Sequence, residues 1–367
     1  MAPRTTYRFL IDGFDPARAG RHLLLASALL PLSGCDIGSA PAAMGARHDT
    51  LSAFETVVST ASGLVGYPLD LTTAPGERIF IADARGRQVL SVGFDGTEPR
   101  TIGREGSGPG EFLQPMRIFA TADSLFVYDG RHQRVMIFDL EGLFSHAYVV
   151  ALGSGRGRAF GPDGRFMIST NGHDSALVVV LDDQGQSSVS VGEPVVPPPP
   201  FFDFVSMKER ASGGVVPHEH LNDVLPAMAP DGSFFVSFFS ESEARRYAPD
   251  GALQWTASLA GPVFRQAFDA FVRANAEDSL PFRLTPLSYV WDSEVVGGDF
   301  WLLVNARAGE DGLILVLDGE DGSVKRRLTL AGKPGIRTFT YDSGTRMLFL
   351  GLPDDAMVLS ALVPPVP

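Results

Sequence analysis

The chain has 367 residues, 44% hydrophobic and 20% charged, enough apolar content for a substantial core and too little bias for disorder or a collagen-like repeat. Its formal charge is −13 with only three lysines, Lys208, Lys325 and Lys333, so nonspecific attraction to nucleic acid or to an anionic membrane surface is excluded by long-range repulsion. A single cysteine excludes an internal disulfide framework, a cysteine zinc cluster and covalent haem attachment.

In chain order, the first feature is RAGRHLLLASALLPLSGCD (18–36), in which Arg18 and Arg21 precede the apolar run Leu23 to Leu32 and Leu32-Ser33-Gly34-Cys35 follows. The run is too short to span a bilayer as a helix and has the layout of a secretory signal. Leu-Ser-Gly-Cys resembles the lipobox of bacterial lipoproteins, in which cleavage precedes the cysteine and its thiol is diacylated. The resemblance implies a signal peptide over 1–34, lipidation of Cys35 and a flexible, small-residue tether over 35–50. It also implies export to the periplasmic face of the inner or outer membrane, with membrane contact through the lipid anchor alone. Loss of 1–34 removes four arginines and two aspartates, leaving the mature chain more acidic still.

From residue 51 the chain repeats. IFIADARGRQVLSVGFDG (79–96) lies over LFVYDGRHQRVMIFDLEG (125–142) at an offset of 46 without a gap, matching Phe80 with Phe126, Asp83 with Asp129, Arg85 with Arg131, Val89 with Val135 and Gly96 with Gly142. Each copy reads as two short β-rich runs around a polar turn, closed by an acidic-Gly turn. Drifted copies follow at 164–185, 232–251, 298–322 and 346–362. A further strand precedes each pair: YPLDLTT (67–73), QPMRIFA (114–120), GRGRAFG (155–161), DVLPAMA (223–229), YVWDSEVV (289–296) and IRTFTYD (336–342). An outgoing strand follows every pair but the last.

Four antiparallel strands in each of six units predict an all-β, six-bladed β-propeller over 51–367. The strand missing from the last unit is supplied by LSAFETVVST (51–60), which closes the ring and leaves no open stack end. Two insertions interrupt the rhythm, at about 193–221 and 261–288. The first begins in a polyproline-prone run and reads as irregular loop. The second places Phe264, Phe268, Phe271 and Val272 at amphipathic-helix spacing, the one short helical insertion expected. Both fall between the last strand of one blade and the first of the next, which predicts that they roof the central opening.

TIGREGSGPGEFLQP (101–115) is glycine-rich but is no phosphate cradle: it lacks the Gly-Lys-Ser/Thr of a P-loop, its glycines have the wrong register for a dinucleotide turn, and a strand rather than a helix follows. Gly103, Gly106, Gly108, Gly110 and Phe112, followed by Pro115, Ile118, Leu125 to Asp129 and Arg134 to Phe138, resemble the NHL repeat and the related six-bladed propeller lipoproteins of bacteria. In that pattern the loop links two blades and its aromatic plugs the space between them.

Candidate chemistry comes from three places. Asp83 and Asp129 sit in matching turns, where they either ligate a cation or bind nearby backbone N–H groups, and the structural repeat favours the second. The starts of the innermost strands offer Asp70, Arg117, Arg158, Asn222, Asp223, Tyr289, Trp291, Asp292 and Arg337. The arginines recur in three blades, and a set of guanidiniums in an acidic protein selects a carboxylate or phosphate by bidentate hydrogen bonds, unless Asp70, Asp223 and Asp292 neutralise them across the channel. His218-Glu219-His220, with Glu219 or His173 as a third ligand, is the candidate for a calcium or zinc site of the kind used by lactonase-like hydrolases and amidating lyases. No nucleophile-elbow or zinc-protease motif is present. The reading is a noncatalytic module that binds a small anionic ligand or an envelope protein and needs no cofactor. A metal-dependent propeller hydrolase or lyase is the alternative.

Overall fold

A computed structural model describes residues 45–151, 155–306 and 309–365. Cys35 and the expected signal over 1–34 lie outside the described residues. Six antiparallel sheets are laid down in chain order, their innermost strands being Pro68–Ala74, Pro115–Ala120, Arg158–Phe160, Val224–Met228, Val290–Val296 and Thr338–Asp342. These are the six strands expected at the head of each unit, and their neighbours touch in sequence around the ring, the sixth meeting the first. The chain is a six-bladed β-propeller.

One hydrophobic cluster lies at every blade interface, and strand alternation explains how. In Ser124–Asp129, Leu125 and Val127 face blade 1 beside Phe80 and Ala82, whereas Phe126 and Tyr128 face blade 3 beside Phe166 and Ile168. The middle strands are therefore buried on both faces and read as nearly continuous apolar runs, such as VVVL at 178–181 and MLFLGL at 347–352.

Glu55–Val58 pairs antiparallel with Met357–Leu362 and completes blade 6, as expected for the closing strand. The expected tether, however, ends before residue 50. Arg47–Leu51 is a strand, paired in parallel with Val324–Leu330 as the fifth strand of blade 5. Two interactions hold it there: Asp49 accepts from the buried Arg326 Nε at 2.6 Å, and Leu51 enters the core between blades 5 and 6. The segment thus covers the outer edge of one blade before crossing to the next.

The Gly-rich loop joins blades 1 and 2. Arg104–Glu105 lies in parallel beside Glu111–Phe112, and Phe112 is fully buried against Phe138 with ring centroids 5.7 Å apart. Gly103 has φ +69°, and a Cβ there would meet the Phe112 ring at 2.2 Å, so glycine is required both by conformation and by the plug it touches.

The insertions differ from expectation in one respect. The first, expected to be irregular loop, contains a helix, α1 (Phe204–Ser212), and the second contains the expected one, α2 (Pro262–Glu277). Asp203 caps α1 by accepting from Ser206 N at 3.3 Å, and the buried Lys208 ties it to α2's exit by donating to the carbonyls of Asp278 and Leu280. Phe264 and Phe271 of α2 pack into the cluster between blades 4 and 5, with Phe268 and Val272 at its margin, so the aromatic stripe serves the host domain.

Candidate functional site in the central channel

The propeller axis holds a cavity of ≈ 300 Å³ lined by the innermost strands and their end turns. No residue of either insertion lines it. The half contributed by blades 3 and 4 is apolar apart from Arg158, with Phe160, Leu225 and Met228 among its side chains. The other half carries Asp70, Arg117, Asp292 and Glu294.

Three of these side chains reach the axis by the same device. Pairing jumps from Pro68 to Asp70 in blade 1, from Pro115 to Arg117 in blade 2 and from Val290 to Asp292 in blade 5, leaving one bulged residue before each charged one. A bulge re-aims the next side chain, here inward. Thr338 occupies the same register in blade 6, opposite Gly351 as Asp70 is opposite Ala82.

The four side chains form one network. Arg117 Nη1 donates to Asp70 Oδ1 at 3.3 Å and to Asp292 Oδ1 at 3.0 Å. Asp70 also accepts from Ile118 N at 2.8 Å, and Asp292 from Phe339 N at 3.1 Å and from Thr338 Oγ1 at 2.7 Å. Each carboxylate thereby ties its blade to the next. Burial, partly offset by Arg117 and reinforced by Asp292, pushes the Asp70 carboxyl up to about 6.

Glu294, one register step further down the channel, was not legible as a site residue. It accepts from Tyr341 N at 3.0 Å and Thr340 Oγ1 at 3.4 Å, and no cation pairs with it among the described residues. Burial, with Asp292 and Asp70 close by, pushes it up to about 8. Its ordinary value in an unfolded chain is about 4.3. The native state therefore holds the extra proton between those values, and stability falls as pH rises through that window. Glu294→Gln keeps both hydrogen-bond acceptances and removes the titration. Its melting temperature relative to the parent is expected to rise from pH 5 to about pH 8 and to level off above that; a pH-independent difference would contradict this account.

The remaining expected rim residues separate. Arg158 Nη1 donates to the Arg156 carbonyl at 3.0 Å and its guanidinium lies 5.7 Å from the Tyr128 ring centroid, with no carboxylate partner among the described residues. Asp223 is buried and tied to Arg156, which donates its backbone N at 2.6 Å and its Nε. Arg156 is thus the arginine that neutralises Asp223, although Arg158 is the one the strand pattern singles out. Asn222 accepts from Val195 N and holds the first insertion in place. Tyr289 is buried against Phe264 at 5.5 Å, and burial with Glu241 nearby pushes its phenol up to about 12. Arg337 stacks 3.9 Å over Trp291 and lies 3.9 Å from Asp354. Asp223, Tyr289 and Arg337 line no part of the cavity.

His218 and His220 do not share a side of an extended chain. They occupy a 3-10 turn, His218–His220, in which residues two apart point about 120° away from one another around the axis. His218 is exposed. His220 is pushed down to about 4 by burial and by Arg156. Glu219 is taken by Arg210 with both oxygens at 2.6 Å, and His173 is exposed. Among the described residues, no three His, Cys, Asp or Glu side chains converge to hold a metal ion.

Asp83 and Asp129 are each taken up by backbone N–H groups. Asp83 accepts from the N–H groups of Gly66, Tyr67, Arg85 and Gly86, and Asp129 from those of Leu113, Gln114, Arg131 and His132. Each carboxylate clamps the loop leading into its blade to the turn within it.

Fold and channel together define a six-bladed β-propeller with a small, charged axial cavity. The model of a family described as a 6-bladed beta-propeller matches residues 58–150, blade 1 and blade 2 with their Gly-rich connection. A search of curated proteins finds no match to the sequence. Among solved structures, the chain is similar to a Bacteroides fragilis protein described as exported, with 12% identity, a TM-score of 0.52, and 84% of this chain and 93% of that one covered. It is also similar to a gluconolactonase from Xanthomonas campestris, with 14% identity, a TM-score of 0.47, and 85% and 89% covered. A virginiamycin B lyase from Staphylococcus aureus shows 10% identity, a TM-score of 0.47, and 85% and 99% covered. At these identities the likeness is one of fold.

Proposed function

We propose that this propeller is an exported, lipid-anchored, noncatalytic module that binds a small anionic ligand in its channel. The observation that carries the reading is Arg158: a guanidinium bordering an axial cavity, on an otherwise apolar wall, without a carboxylate partner among the described residues. Arg117 is already satisfied by Asp70 and Asp292, which leaves Arg158 as the channel cation able to take a ligand carboxylate bidentately. At ≈ 300 Å³ the cavity stands at the lower end of ligand pockets, which run from about 300 to 1,000 Å³, and it suits a small molecule.

Calorimetric titration with short-chain carboxylates tests the site. Binding is expected for the parent and a loss of at least about tenfold for Arg158→Gln, in line with the cost of removing one charged hydrogen-bonding partner. Equal affinity in both proteins would remove Arg158 from the site. The anchor rests on the Leu-Ser-Gly-Cys sequence and is tested by the intact mass of the mature protein, which is expected to begin at a diacylglyceryl-modified Cys35. An unmodified Cys35 would refute it.

A further inference from the structure

The cavity is lined by two ionisable groups without a charge partner among the described residues, not one. Arg158 has no carboxylate partner, Glu294 has no cationic partner among the described residues, and both line the same ≈ 300 Å³ space without pairing with each other. Beside Glu294, Ser293 also lines the cavity, and its buried hydroxyl makes no hydrogen bond among the described residues. Ionisable groups in a poorly solvated space are ordinarily paired, so a guanidinium and a carboxyl without charge partners around one cavity describe the complement of a ligand. We infer that the channel ligand is a zwitterion of the α-amino acid type, its carboxylate on Arg158 and its ammonium on Glu294, with Phe160, Leu225 and Met228 receiving an apolar side chain. This deepens the reading of Arg158 as the anion site and rests on it.

The chemistry accounts for the placement of the other charges. A monoanion would satisfy Arg158 but would leave Glu294 without a counter-charge and so still protonated, with Asp292 on its own strand and Asp70 on blade 1 adding to the negative potential. Arg117 of blade 2 is already shared between those two aspartates, and Thr340 and Tyr341 of blade 6 offer Glu294 only neutral donors. An ammonium group supplies the missing positive charge. A proton consequence follows. With burial holding Glu294 protonated at neutral pH, an incoming ammonium favours its ionised form, so ligand binding at pH 7 releases a proton.

The test is calorimetric titration of the whole protein at pH 7 with L-leucine, N-acetyl-L-leucine, L-leucinamide and 4-methylpentanoate, which is leucine without its amino group. Leucine is expected to bind at least about tenfold more tightly than each of the other three. Repeating the titration in buffers of different ionisation enthalpy is expected to show proton release, which a purely structural Glu294 would not produce. Glu294→Gln should erase the preference for leucine over N-acetyl-leucine while keeping the preference over leucinamide, and Arg158→Gln should do the reverse. Circular dichroism confirms that both variants fold. If N-acetyl-leucine or 4-methylpentanoate binds as tightly as leucine and still depends on Arg158, the zwitterion falls and the anion site stands. If none of the four binds at concentrations up to about 10 mM, the zwitterion falls; if, in addition, short-chain carboxylates bind without dependence on Arg158, the anion site falls with it.

Discussion

Asp129→Ala is expected to destabilise the protein by roughly 3–5 kcal/mol, at the upper end of what a single substitution does. The carboxylate is fully buried and accepts four backbone N–H groups, two from the loop leading into blade 2 and two from the turn inside it. Hydrogen bonds to a charged acceptor contribute about 1.5–3 kcal/mol each, and solvent entering the truncated site recovers part of the loss. Against the roughly 5–15 kcal/mol that separates folded from unfolded states of ordinary domains, this is a large fraction. Asp129→Asn should cost less than Ala, because the amide oxygen keeps one acceptor while the NH₂ meets donors. Urea unfolding of the three proteins measures the order. If Ala and Asn are equal and lie within about 1 kcal/mol of the parent, close to the level of an ordinary surface change, the clamp does not hold the blade.

Arg117→Ala is expected to cost about 3–5 kcal/mol at neutral pH, for a different reason. It leaves Asp70 and Asp292 buried together without the guanidinium that both now contact. The sign of the pH dependence follows from the carboxylates. Removing Arg117 takes away the charge that holds Asp70 down, so its carboxyl rises further from its already raised value of about 6. The variant's native state then binds more protons than its unfolded chain over a wider range, so its stability falls more steeply with pH than the parent's. Below about pH 4, where unfolded aspartates are themselves protonated, the variant should approach the parent. Thermal melts of both proteins from pH 4 to pH 8 check this. A deficit that stays constant across the range would mean that Arg117 acts by packing and not by charge.

The two substitutions also separate what each part of the architecture does. Asp129 repeats Asp83 in sequence, turn and hydrogen bonding, so it belongs to the blade as a unit. Arg117 shares its register with Asp70 and Asp292, yet it is opposite to them in charge, and the three make a single network only because the ring closes.

The sequence alone determined the repeat and, through it, the fold. The offset of 46 between 79–96 and 125–142 exposed the blade. The glycines and Phe112 marked the joint between blades, and the apolar alternation of 51–60 identified the closing strand. These features are legible because each depends on contacts within a blade or on backbone conformations that only certain residues adopt. The α2 stripe is legible for the same reason, whereas α1 has few apolar residues at helical spacing and takes its shape from the capping Asp203 and from Lys208 reaching α2. Tertiary structure decided the rest. Which arginine would be neutralised could not be read from strand position: Arg117 is held by aspartates from blades 1 and 5, Arg156 takes Asp223, and Arg158 remains open to the cavity. Glu294 carries no local signal, since one glutamate in VWDSEVV looks like any strand residue facing solvent. The edge strand Arg47–Leu51 is recruited by a partner almost three hundred residues away. Charge pairing across the axis depends on which blades the closed ring sets beside one another, and local sequence patterns hold no record of that distance.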